Sequence, residues 1–257
     1  DELAPRAVAT LEAAAAPKGI RAAEKGTLAS LNESMRRNGI HRSVALPVAT
    51  KPEHVPSINR HVITNLMRHE ELVCFGALHP LFTEWRAEIP RLKDAGIKGV
   101  KLHAEFQQFA IDAPAMMPVY RALADAGLVL MMHMGEEYFA RCESRATPAM
   151  LARVLEQAPG LKVIAAHGGA FLRWREFIDA VAGHPDVWVD LAYLPGYIRR
   201  ETLDELLEKH GSARVLFGSD FPWMAQDTVL AFVRGLGLPS ETEAAILGGN
   251  ATALLGL

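Results

Sequence analysis

The stretch GLVLMMHMGEE, residues 127–137, contains the pattern that decides the fold of this chain. Residues 128–132 are all apolar. A short, continuous apolar run of this kind is typical of a strand that is buried on both faces of a parallel sheet. Gly127 ends the helical pattern before the run, as a C-terminal cap does. His133 places a polar ring at the end of the predicted strand. A lone histidine there is by default a core residue bonded to a backbone carbonyl.

Similar apolar runs alternate with amphipathic helical patterns along the rest of the chain. Successive runs end roughly 30 residues apart, which is the length of one βαβ step. Strict alternation of strands and helices favours an α/β fold with a parallel sheet. We predict one domain over 1–257, a (β/α)₈ TIM barrel, with a doubly wound sheet as the alternative. The further runs are residues 42–49, 72–79, 97–103, 161–169, 187–193 and 214–222.

These seven runs leave one of eight barrel strands unaccounted for. Residues 1–26 carry no strand pattern and indicate an alanine-rich helix and a loop, and 27–38 indicate the helix before the first run. An open barrel would expose unpaired strand edges, so we expect the first strand to lie upstream of Asp1. At the other end, residues 240–257 predict a closing helix pair that is broken at Gly248-Gly249.

Composition excludes several classes of function. The chain has 257 residues and a formal net charge of −3, so it lacks the basic footprint of a nucleic-acid or anionic-membrane partner. No apolar run approaches the roughly 18 residues that span a bilayer. The two cysteines, Cys74 and Cys142, are too few for a disulfide framework or a zinc cluster. They fit a reducing compartment, and we expect a cytoplasmic protein.

Five of the seven runs end in a side chain able to bind a metal or move a proton. The C-terminal ends of the strands carry the active site in a TIM barrel. Two glycines follow one of these histidines and allow another backbone or a ligand to approach closely. A charged carboxylate at a strand end is costly unless it is paired or bound to a cation. Two imidazoles and a carboxylate suit zinc and similar divalent metals, with a position left for water. The five residues are His79, His103, His133, His167 and Asp220.

Three motifs, MMHMG (131–135), AAHGG (165–169) and LFGSDFP (216–222), resemble the amidohydrolase-related family of metal-dependent TIM barrels. This family includes hydrolases, lactonases acting on aromatic-derived acids, and non-oxidative decarboxylases of aromatic or muconate-type acids. The resemblance implies one divalent metal, which we expect to be zinc, with manganese or iron as alternatives.

The resemblance also implies roles for individual residues. His133 corresponds to a metal ligand, and Asp220 to a metal ligand that also handles the proton of the bound water. His167 corresponds to a second-metal ligand or to a general acid–base group, and we favour the acid–base role. One feature departs from the family pattern, because no His-x-His pair occurs in the 257 residues. That pair supplies two metal ligands at the end of the family's first strand, and a chain without it would bind metal weakly.

Other residues are candidates for binding a substrate. Lys101 and His103 are two positions apart and share one face of a strand, where either can bind a substrate carboxylate. The alternatives are a polar layer that caps the barrel core or, for Lys101, a carbamate between two metals. Trp223, like Glu136 and Tyr193, follows a strand end and can shape a pocket or lie on a surface loop.

These observations favour an enzyme that uses a metal-activated water. We expect a metal-dependent hydrolase that opens an amide, lactone or ester bond in a small carboxylate-bearing or cyclic substrate. The first alternative is a metal-dependent non-oxidative decarboxylase of an aromatic or muconate-type acid. The second is a non-catalytic barrel that binds a ligand. The expected partner is a small-molecule substrate, and the sequence leaves self-association of the chain open.

Overall fold

A computed structural model describes residues 4–137 and 144–257, so Cys142 lies outside the described residues. Eight short strands pair in parallel and in chain order, first β1 with β2 and then β3 through β8. Phe75 alone separates β2 from β3, so these two are halves of one extended segment. Each of the seven predicted runs therefore contains a strand. The bounds are Ser43–Ala45, Leu72–Cys74, Gly76–Ala77, Gly99–Leu102, Val129–Met132, Val163–Ala165, Val187–Asp190 and Val215–Leu216 for β1 to β8.

Helices connect the strands and cover the outside of the sheet, as predicted. Thr27 caps α2 and Thr147 caps α7, since each side chain accepts a hydrogen bond from the backbone N–H three residues later, Ser30 and Met150. No helix among the described residues is long and apolar enough to cross a membrane. The helices α1 to α12 are Ala4–Ala15, Leu28–Asn38, Val55–Thr64, Trp85–Asp94, Ala104–Gln107, Met117–Ala126, Pro148–Gln157, Trp174–Ala180, Arg200–His210, Gln226–Arg234, Ser240–Ala244 and Asn250–Leu255.

The two outermost strands, β1 and β8, share no backbone hydrogen bond in the part of the chain that the structure describes. The backbone groups of Leu216 face β7, because its carbonyl accepts a hydrogen bond from the N–H of Leu191. Successive residues of a strand alternate in direction, so the backbone groups of Val215 and Phe217 point to the opposite edge. Residues near the C-terminus form hydrogen bonds with the backbone groups at that edge. The N–H of Phe217 donates to the Ile246 carbonyl at 2.9 Å, and the Asn250 amide donates to the Val215 carbonyl at 2.7 Å. Residues 4–26 contain α1 and no strand, as expected.

The predicted helix break at Gly248-Gly249 is wrong. The chain continues from α11 into α12 through a π-helical turn, Ala245–Gly249. Glycine disfavours a helix interior by about 1 kcal/mol, but the tertiary contact of Ile246 with Phe217 and that of Asn250 with Val215 hold this turn against the sheet. Packing therefore overrides the local preference of the two glycines.

Two apolar clusters hold the fold together. The larger lies between the strands and the surrounding helices. The smaller lies inside the curved sheet, where Phe75, Met131 and Ile164 pack together. Alternating strand residues face these two layers. This arrangement places the residue after each strand at the rim of the sheet, where the candidate site is found.

Candidate metal centre

The candidate site residues come together at the C-terminal ends of the strands. They line a single cavity of about 1010 Å³, and Glu137, Asp190 and Tyr193 line it with them. The sequence-predicted residues in this cavity are Lys101, His103, His133, His167, Asp220 and Trp223.

His79 is the strand-end histidine that the structure does not place on this cavity. Its Nδ1 accepts a hydrogen bond from the N–H of Leu81 at 3.1 Å, and its carbonyl accepts from Phe82. The ring therefore stabilises a local turn. Burial lowers the pKa of His79, against the attraction of Glu53. The prediction that His79 lies at a strand end is correct, but the prediction that it belongs to the site is wrong.

Three histidines form a contact chain across β4, β5 and β6. The rings of His103 and His133 stack with centroids 4.1 Å apart, and Phe106 stacks on the other face of His103 at 3.9 Å. The Nδ1 of His133 lies 3.2 Å from the Nε2 of His167. Stacking on both faces holds the His103 ring, so its two nitrogens point in set directions.

The contact of His167 with a backbone carbonyl assigns a proton position to its ring and, through it, to the ring of His133. The Nδ1 of His167 lies 3.1 Å from the Ala192 carbonyl, which only accepts, so this nitrogen carries the proton. The Nε2 of His167 then accepts from the Nδ1–H of His133. The remaining nitrogen of His133, Nε2, thus presents a lone pair. It lies 3.4 Å from Oε2 of Glu137 and 3.3 Å from the Glu136 carbonyl.

This arrangement fits a divalent cation. His103, His133 and Glu137 each offer a ligand atom, and these atoms lie within 4.8 Å of one another. A lone pair, a carboxylate oxygen and a carbonyl oxygen that face one point repel each other unless a cation lies between them. Two imidazole nitrogens and one carboxylate oxygen form a ligand set that zinc accepts and that other divalent metals share.

The electrostatics of the cavity keep these imidazoles neutral, as metal ligands must be. The pKa of His103 is lowered to about 4, mainly by burial and in smaller part by the nearby Lys101, whereas the hydrogen bond to Glu137 opposes the shift. Burial also holds the pKa of His133 well below its usual range, with His103 and His167 adding to the effect. Burial lowers the pKa of Lys101 as well, against the attraction of Asp220, Asp190 and Glu137.

Asp220 faces the same cavity but lies outside the group of close ligand atoms. Enclosure by protein atoms raises the pKa of its carboxyl, while His167 and Lys101 oppose the shift. The side chain is nevertheless exposed to the cavity, and solvent access limits the effect of enclosure. An upward shift makes Asp220 able to exchange a proton near neutral pH. Its predicted role as a metal ligand, and that of His167, stay predictions.

Strained backbone marks the ends of three successive strands. His167, Tyr193 and Asp220 have φ values of 61°, 61° and 59°, in the left-handed region that residues other than glycine seldom adopt. Asp190 supports the first of them, since its carboxylate accepts from the N–H of His167 at 2.8 Å and of Ala192 at 3.1 Å. Strain of this kind persists only where surrounding contacts hold it, and it is concentrated at functional sites.

The glycines after His167 serve packing rather than ligand access. Both have positive φ, and a Cβ on Gly169 would lie 2.5 Å from the ring of Phe177. On Gly168 it would lie 3.0 Å from the Trp174 indole nitrogen, which donates to the His167 carbonyl. The expectation of close approach is right, but the groups that approach are aromatic side chains of α8.

Glu137 is the main residue that sequence reasoning missed. It lies four residues after His133 in the opening stretch, and this His-x-x-x-Glu spacing was the available signal. Glu136, a predicted pocket residue, lines the cavity and also forms an ion pair with Arg173 at 2.7 Å. Gln107 was missed too. Its amide donates to the carbonyls of Ala49 and Leu78 and accepts from the His103 N–H, which joins three segments beneath the site.

The parallel barrel topology, the histidine cluster and the acidic groups at the strand ends define an α/β barrel with a candidate metal centre. The amidohydrolase family model matches residues 29–257, and the chain belongs to this family. A search of curated proteins found no match.

Solved structures support the fold. An uncharacterized TIM-barrel protein from Bordetella bronchiseptica has a TM-score of 0.80 at 20% identity, over 99% of this chain and 93% of that one. A manganese-bound dihydroxybenzoic acid decarboxylase from Polaromonas sp. JS666 scores 0.69 at 17% identity, over 88% and 85%. A candidate 2-pyrone-4,6-dicarboxylic acid hydrolase from Pseudomonas putida scores 0.68 at 18% identity, over 96% and 93%. These likenesses confirm the predicted TIM-barrel fold.

Proposed function

We propose that this chain is a metal-dependent hydrolase that acts on a small carboxylate-bearing or cyclic substrate. The observation that carries the proposal is the convergence of His103, His133 and Glu137 in a cavity that Asp220 and Lys101 also line. Ligands, a group able to exchange a proton and a cation that attracts carboxylates are thereby combined in one enclosed space.

In this proposal His103, His133 and Glu137 hold the divalent ion, and zinc or manganese suits them. Such an ion supplies a Lewis acid, which acidifies water and polarises a carbonyl. His167 orients His133 through the contact between Nε2 and Nδ1. The manganese in the Polaromonas decarboxylase supports a divalent metal in this type of barrel.

The other residues handle protons and the substrate. Asp220, open to the cavity, takes a proton from the attacking water and returns it to the leaving group. Lys101 is buried, and its ammonium attracts a substrate carboxylate. Trp223 forms part of the wall. Backbone strain at His167 and Asp220 supports their placement in the machinery, because the fold retains it at two proposed proton-transfer residues.

Decarboxylation is the second candidate, and an aromatic wall favours it. Phe171 and Tyr193 both line the cavity, and their rings lie edge to face with centroids 5.8 Å apart. Aromatic rings arranged in this way suit a planar aromatic acid. Lys101 would hold the carboxylate, and Asp220 would protonate the carbon that loses carbon dioxide.

One experiment separates these reactions. The metal-loaded chain is incubated with lactones and amides on one side and with aromatic acids on the other. Ring opening or amide cleavage supports the hydrolase, whereas release of carbon dioxide supports the decarboxylase. Bound metal below about a tenth of an equivalent after growth with zinc or manganese supports the non-catalytic barrel instead. A cytoplasmic location and the lack of a nucleic-acid or membrane partner stay predictions, and self-association of the chain stays open.

A further inference from the structure

A second carboxylate, that of Glu105, lies next to the candidate metal centre but does not line its cavity. Its side chain is only 2% exposed. One oxygen, Oε1, accepts a hydrogen bond from the N–H of Arg145 at 2.8 Å. The other, Oε2, has no hydrogen-bond partner among the described residues, and the same is true of Nδ1 of His103. These two buried atoms lie 3.9 Å apart.

The two tautomers of His103 have different partners. With the proton on Nε2, the ring donates to Glu137, whose Oε2 lies 3.1 Å away, and the lone pair of Nδ1 faces the Glu105 carboxylate. Two electron-rich atoms repel each other, which agrees with the 3.9 Å separation. With the proton on Nδ1, the ring donates to Glu105, and Nε2 presents its lone pair to the cavity.

We propose that Glu105 is a positioning residue that selects the Nδ1–H tautomer of His103 and so makes Nε2 a metal ligand. This inference rests on the proposed function. The ring stays neutral in the exchange, because Nε2 releases one proton to solvent and Nδ1 takes one proton from solvent, while Glu137 stays ionised as a ligand. A hydrogen bond behind a ligating histidine is a general means of fixing its tautomer and its direction.

Only a small movement is needed to bring the Glu105 carboxylate within hydrogen-bond distance of His103. The His103 ring is stacked between Phe106 and His133, so it keeps its plane. Glu105 is tethered at Oε1 by Arg145, so only Oε2 has to approach. Contraction from 3.9 Å to a hydrogen-bond distance of about 2.8 Å requires a modest side-chain adjustment.

The test uses the full chain and compares Glu105→Gln with Glu88→Gln, which alters a buried carboxylate outside the cavity. In Glu105→Gln the amide oxygen keeps the bond to Arg145, and the NH₂ group donates to Nδ1 of His103. The metal-ready tautomer is then disfavoured. We expect zinc and manganese affinity, measured by chelator competition, to fall roughly 10- to 100-fold in Glu105→Gln and to stay unchanged in Glu88→Gln.

Histidine ¹⁵N NMR supplies the readout that a merely structural role would not move. We expect metal-loaded wild-type chain to carry the His103 proton on Nδ1, with the preference reversed in Glu105→Gln. Equal metal affinity in wild type and Glu105→Gln overturns the inference, and so does an equal loss in Glu88→Gln. If Glu105→Gln does not fold, the wild-type spectrum decides, since a metal-loaded His103 with its proton on Nε2 overturns the inference. A wild-type chain that binds no metal overturns the proposed function and this inference together.

Discussion

Two buried polar clusters in this protein differ in how completely their hydrogen bonds are made. The first joins α3 and α4. The Asn59 amide exchanges two hydrogen bonds with the backbone of Ala77 and donates to Glu88, and Arg91 binds Glu88 through two nitrogens. Burial raises the pKa of Glu88, but the hydrogen bonds from Arg91 and Asn59 outweigh burial and lower it.

The second cluster is the candidate metal centre, which lacks such internal compensation. Burial lowers the pKa of His103 and His133, and burial raises that of Glu105 against its bond to Arg145. Buried polar groups without partners destabilise a fold, so they persist where a ligand completes them. The comparison indicates that the Asn59 cluster serves stability, and it agrees with the proposal that the histidine cluster is arranged for binding.

Replacement of His133 by alanine tests the centre most severely. We expect the affinity for zinc or manganese to fall more than roughly 100-fold, and turnover to be lost with it. This loss exceeds the loss usually seen when a residue that hydrogen-bonds to a metal ligand is replaced. The free energy of unfolding without metal should change much less, because the lost ring bonds mainly to other site residues. Elemental analysis and chelator competition measure the binding. Retained metal in the alanine variant contradicts the proposed ligand set.

The variant Asp220→Asn separates proton transfer from metal binding. We expect turnover to fall roughly 100- to 10,000-fold, the range for removal of a general acid or base, in a chain that remains folded. The geometry of the three close ligand atoms predicts that metal content is retained. Loss of metal would instead assign Asp220 as a ligand, as the family resemblance implies, and unchanged turnover would exclude it from the machinery.

The opposite cluster is tested by Asn59→Ala. This change leaves the N–H and carbonyl of Ala77 without their side-chain partner and Glu88 with one donor fewer. We expect the free energy of unfolding to fall by about 2–3 kcal/mol, with metal affinity unchanged. Urea denaturation and chelator competition measure the two quantities. A loss of metal affinity without loss of stability would remove the distinction between the clusters.

His210 provides a test outside both clusters, a pH dependence of stability that does not involve the centre. It is fully buried, its Nδ1 accepts from the N–H of Gly183, and burial together with Arg214 lowers its pKa to about 4. The unfolded chain, with an ordinary value near 6.5, binds more protons below that pH. The stabilisation that neutral His210 contributes is therefore fully present above about pH 6.5 and is lost as the pH falls toward 4.

The variant His210→Asn checks this contribution by urea denaturation across that range. We expect the slope of unfolding free energy against pH to decrease by about 1.4 kcal/mol per pH unit, the value for one proton. A slope that matches the wild type would show that folding does not lower the pKa of His210.

Periodicity predicted the strands because an apolar run that is buried on both faces has a local pattern, and 128–132 shows it. Motifs predicted the family and placed His133, His167 and Asp220 at one rim. The grouping of His103 and Glu137 with His133 escaped prediction, because ligand sets depend on distances between side chains from different segments. The prediction of one domain over 1–257 stays a prediction.

The sequence by itself determined the strand order, the family and the rim on which the polar residues lie, since hydrophobic periodicity and parallel topology are encoded locally. Tertiary structure alone decided the rest. It placed the His79 ring in a local turn and continued the helix through Gly248-Gly249. It also placed the Glu105 carboxylate beside Nδ1 of His103. Each of these depends on contacts between distant segments, whose free energy exceeds the local preferences that a sequence displays.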